Sequence, residues 1–174
     1  MKKMPLVLVS ILTFTAIITF INAKENNPNR TEFSEFLTGT FTPGSMQQYG
    51  IWTSTSDEVT TGTADGDLVS SQLTFMLVAN RRWMTEREKS FIDGTWKFVS
   101  ASQGEISGIF NGKGTSPTVL YGKFIANEPD MNTGAFVNIK IQGEFSCSMT
   151  PLPPYGNLWR YEAWWNGTFQ EVND

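Results

Sequence analysis

The sequence predicts an all-β fold: a single antiparallel β-barrel of about eight strands, with a β-sandwich as the alternative. Three observations lead there. Strand-length segments alternate apolar with polar residues along most of the chain, and clusters of Gly, Pro, Asn and Asp interrupt them at short intervals. Only one short stretch, "TEREKSF" (85–91), carries helical signals. Its Thr85 and Glu88 have capping-box spacing, over a length that suits a loop or a strand extension equally well.

The first 23 residues read as a secretory signal peptide. A basic start (Lys2, Lys3) precedes an apolar run from Pro5 to Ile21, and small Ala23 ends it just before polar "KENNPNR". That order of charged, apolar and small residues is the one a signal peptidase recognises. An uncleaved anchor helix is the alternative, since the run approaches the roughly 18 residues that span a bilayer. Any membrane attachment would then pass through this segment alone. No Cys stands near the junction, which excludes a lipobox. The expected location is secreted or periplasmic. Residues 24–35 ("KENNPNRTEFSE") are polar and rich in Asn, and are expected to form a flexible arm. The barrel domain is expected over 36–174.

Within that domain, "QLTFMLVA" (72–79) has strand length, and "GTWKFVSA" (94–101) is aromatic and β-branched. In "TVLYGKFIA" (118–126) and "AFVNIKIQGEF" (135–145) the period is two, with Val137, Ile139 and Ile141 on one face and Asn138, Lys140 and Gln142 on the other. The closing "LWRYEAWWNGTF" (158–169) puts Trp159, Tyr161, Ala163, Trp165 and Phe169 on one face, a continuous aromatic stripe. Such a stripe belongs to a core or lines a ligand. Turn signals are "TPGS" (42–45), "TADGD" (63–67), "IDG" (92–94), "NGKG" (111–114), "NEPDMNTG" (127–134) and "PLPPYG" (151–156). A Gly-Thr pair recurs at 39–40, 62–63, 94–95, 114–115 and 167–168, at unequal intervals that fit no solenoid.

Composition excludes much chemistry. The chain has no His, so Ser-His-Asp and Cys-His catalysis lack their base, and imidazole metal sites lack their ligand. Its single cysteine, Cys147, cannot form an internal disulfide or a thiolate metal cage, and its alternating surroundings read as a small buried hydrophobe. "GEISGIFNGKG" lacks the Lys-Ser/Thr step of a phosphate loop. "DGD" and "EPD" match no EF-hand, and no metal or cofactor site is expected. When Lys2 and Lys3 leave with the signal peptide, the 13 basic residues become 11 against 17 acidic ones, a net charge of −6. That balance argues against nucleic-acid binding. The basic cluster "NRRWMTEREK" (80–89) is interleaved with Glu and reads as a solvated face. The remaining chemical candidates are the carboxylates Glu105, Glu144 and Glu162, on or beside expected strands, which could serve as an acid–base pair.

"FIDGTWKFVSASQGEISGIFNGKGT", "YGKFIAN" and the closing "WNGTF" together resemble the secreted, calycin-type barrels related to allene oxide cyclase and dirigent proteins. The likeness covers roughly residues 60–170 and lies in the spacing of Gly and aromatic residues. It implies an antiparallel barrel whose members bind or shape hydrophobic small molecules. The leading expectation is therefore an exported, non-enzymatic barrel, with Trp159, Tyr161 and Trp165 facing a small apolar ligand. A carboxylate-assisted isomerase, cyclase or hydrolase is the second reading. An adhesion or interaction module, marked by an exposed aromatic patch, is the third.

Overall fold

The computed structural model describes residues 30–68, 72–126, 132–154 and 157–172. The expected signal peptide and residues 24–29 of the expected arm lie outside them. Nine strands are present: β1 Arg30–Phe41, β2 Gln47–Tyr49, β3 Trp52–Gly66, β4 Leu73–Met84, β5 Lys89–Ser100, β6 Gly104–Ser116, β7 Val119–Ala126, β8 Ile139–Pro151 and β9 Trp159–Glu171. Each of the eight long strands pairs antiparallel with its neighbour, and β1 pairs with both β9 and β3, which closes an eight-stranded barrel. Strand β2 is a short extra ribbon on the start of β3.

Several expectations need correction. Strand β1 begins at Arg30, so residues 30–35 belong to the barrel wall and not to an arm. "TEREKSF" holds one 3₁₀ turn, Thr85–Arg87, before β5 begins at Lys89. Val137 is exposed and Asn138 has φ +61°, so both belong to the turn before β8. "IDG" and "NGKG" are no turns; they lie inside β5 and β6, and the hairpin between those strands falls at residues 101–103.

Alternation explains the wall. Side chains change face at every residue, and the inward row of each long strand is mostly apolar, as in β4, where Leu73, Phe75, Leu77 and Ala79 are buried. At the centre Trp165 is fully buried against Trp96, Phe98, Phe110, Phe124 and Phe145, with ring centroids 4.3 to 6.3 Å away. Glycines face the largest rings. Gly143 and Gly167 oppose one another across β8 and β9, and a Cβ on Gly143 would lie 2.6 Å from Phe124 Cζ and 2.2 Å from the Asn166 carbonyl oxygen. Gly112 opposes Gly122 in the same way, beside Phe145. The Gly-Thr pairs thus combine an inward glycine, which leaves room, with an outward threonine of good strand propensity.

The two ends of the barrel carry buried charge. At one end Arg81 and Glu58 form a bidentate ion pair, 7 % and 3 % exposed. A bulge between Thr55 and Glu58, with Asp57 at φ +52°, shifts the phase of β3 and turns Glu58 inward. The basic cluster is therefore not a uniformly solvated face. At the other end Glu35 is 1 % exposed and accepts a 2.6 Å hydrogen bond from the Leu68 amide.

Candidate functional site: a polar groove on the outer wall

The register brings seven outward polar side chains into one cross-strand row. It runs Asn80 (β4), Asp93 (β5), Asn111 (β6), Lys123 (β7), Glu144 (β8), Asn166 (β9) and Ser34 (β1). Its two ends are fixed by internal hydrogen bonds. Asn80 Nδ2 donates to Asp93 Oδ2 at 3.3 Å, and its Oδ1 accepts from the Asp57 amide at 3.1 Å. The Ser34 hydroxyl donates to Asn166 Oδ1 at 2.7 Å. In the middle, Asn111, Lys123 and Glu144 make no ion pair or side-chain hydrogen bond among the described residues.

These three residues are shared by two open grooves of about 580 and 910 Å³. The smaller reaches down to Gly112, Gly122 and the edge of Phe145, and the larger to Gly143, Gly167 and Phe124. One flank is the next row, Lys113, Tyr121, Ser146, Trp164 and Phe36. Tyr121 and Trp164 are half exposed there, and the Trp164 ring lies 4.9 Å from that of Phe36. The opposite flank is Ile109, Ile125, Gln142 and Thr168. Charge along the grooves balances: Arg30, Arg82, Lys113 and Lys123 face Glu32, Asp67, Asp93 and Glu144.

The residues singled out from the sequence scatter. Tyr161 and Trp165 are 4 % and 0 % exposed in the packed interior, where the Trp165 indole N–H donates to the Tyr161 hydroxyl at 3.4 Å. Trp159 is partly buried at one barrel end, against Phe41. Glu105 pairs with Lys97, and Glu162 lies 3.8 Å from Arg160, both on the outer wall. Glu144 alone belongs to the groove. Glu162 pairs in register with Ser148, four residues along β8 from Glu144. That places the two about 13 Å apart along the strand, beyond the separations at which paired carboxylates share one bond.

Among the described residues three titratable groups are perturbed, all in the interior. Burial pushes the Cys147 thiol up to about 12, and it holds the Tyr161 phenol well above its usual value, aided by Cys147. Burial also raises Glu35, opposed by the Leu68 amide and helped by Asp67 and Asp65. Among the described residues no three His, Cys, Asp or Glu side chains gather to hold a metal. Comparison of the chain with protein-family models, with curated proteins and with solved structures finds no match.

Proposed function

We propose that the protein is exported and works as a non-enzymatic binding module, taking its ligand on the outer wall of the barrel. The observation that carries this reading is the contrast between a filled interior and an outer row with unpaired polar groups. An interior ligand would have to displace rings packed at van der Waals distance, because Tyr161 and Trp165 offer almost no accessible surface. The outer groove needs no such rearrangement. Half-exposed Tyr121 lines it and half-exposed Trp164 stands on the neighbouring row, beside Asn111, Lys123 and Glu144, whose polar atoms are free to meet a ligand.

Export rests on the charged, apolar and small-residue order of residues 1–23. The outward row of Asn, Lys and Glu and the apolar interior are the reverse of a lipid-facing barrel, and support work in water. Kinship with calycin-type barrels is proposed at the level of architecture, which the closed eight-stranded wall supports.

Backbone amide shifts on titration with saccharide, peptide and fatty-acid probes test the reading. Shifts centred on Asn111, Lys123 and Glu144 are expected. Shifts centred on Trp96, Phe124 and the Trp165 indole would place the ligand inside and overturn it.

A further inference from the structure

We infer that the groove recognises an extended, uncharged glycan chain. The inference rests on the outer-wall reading above and names its ligand class. Three features of the groove point to it.

In the free middle of the row, Glu144 only accepts hydrogen bonds, Lys123 only donates, and Asn111 does both. Hydroxyl groups meet all three, because each donates and accepts.

Tyr121 and Trp164 follow one another two strands apart on the flank, at 53 % and 51 % exposure. Their faces suit the C–H face of a sugar ring, an apolar surface beside polar edges. The charge balance of the grooves gives a polyanion no net attraction. A nucleic acid or an acidic polysaccharide would meet as many carboxylates as cations.

The test is affinity electrophoresis of the full folded barrel in gels containing soluble polysaccharides. Neutral β-linked glucans, mannan and xylan are compared with alginate and heparin, and Trp fluorescence is followed with matching oligosaccharides. Retardation by at least one neutral polysaccharide is expected. Trp164→Ala and Asn111→Ala should each weaken it about tenfold or more while leaving the thermal midpoint within a few degrees. No retardation by any neutral polysaccharide overturns the inference. Binding only to alginate or heparin, or only to a peptide, also overturns it. If such binding is lost with Trp164→Ala, the outer-wall reading stands. If it survives both substitutions, that reading falls as well.

Discussion

The buried ion pair at the barrel end gives a quantitative test of the structure. Arg81 directs Nε and Nη2 to the two oxygens of Glu58, the second at 2.8 Å, and Nη1 to the Pro117 carbonyl at 3.0 Å. The Phe41 and Trp83 rings flank the guanidinium at 5.3 and 5.7 Å. Arg81→Met leaves the Glu58 carboxylate buried, with the Gly44 amide at 3.1 Å as its remaining donor. Stranding one charge of a buried pair costs about 3–5 kcal/mol. Glu58→Leu strands the guanidinium at a similar cost. Removing both leaves no buried charge, and the part-buried Pro117 carbonyl and Gly44 amide lose a partner, for about 1–3 kcal/mol in all. The double variant should therefore be more stable than either single one, a coupling of about 3 kcal/mol or more. Urea unfolding followed by Trp fluorescence measures it, with an unchanged m-value as the control. Single losses below about 1 kcal/mol that simply add would mean a solvated pair, and would refute the geometry.

Four further outcomes are expected. Because Glu35 titrates above its ordinary value of 4.5, the unfolded chain releases that proton at lower pH than the barrel, and stability falls as pH rises through the raised value. Glu35→Gln should therefore raise the thermal midpoint at pH 7 and lose its advantage below pH 4.5; a lower midpoint at pH 7 would contradict this. Gly143→Ala should cost about 1–3 kcal/mol or more by overpacking against Phe124 and the Asn166 carbonyl; calorimetry showing no loss would mean a more open interior. Cys147, 5 % exposed with its thiol near 12, should resist thiol reagents at pH 8 and label fully in denaturant. Trp165→Ala should cost about 3–5 kcal/mol by removing the central ring, and an unchanged urea midpoint would place that side chain outside the core.

Alternation made the core rows readable. The inward stripe of β9 follows from side chains changing face at every residue, and the same rule extends from Leu73, Phe75, Leu77 and Ala79 to Arg81. The buried arginine was thus legible, although its charge and its acidic neighbours suggested solvent. Glu58 was not, because the bulge at Thr55–Glu58 breaks the period, and nothing in "STSDEV" announces it. Glu35 lies in a polar stretch, and its burial depends on the Leu68 segment folding over the barrel end. Asn-Gly and Asp-Gly misled for a physical reason. In long barrel strands a glycine can be demanded by a facing ring or a close carbonyl, as at Gly94 and Gly112, and not by positive φ.

The groove lay beyond sequence reading for a different reason. Periodicity tells which face a residue takes, whereas a cross-strand row depends on which residues stand abreast on seven strands. Register fixes that, and here it also links the two faces of the wall. The glycine pairs that admit Phe124 and Phe145 into the core also line the outer grooves. A side chain at Gly143 or Gly112 would push back the ring inside and alter the floor outside. The Gly and aromatic spacing that looks like a rule for bending strands therefore serves two requirements at once. It closes the interior with rings, leaving little room for a ligand there, and it shapes an outer channel against which polar groups are presented at strand intervals. A barrel built this way leaves its outer wall, and not its interior, as the surface open to the proposed ligand.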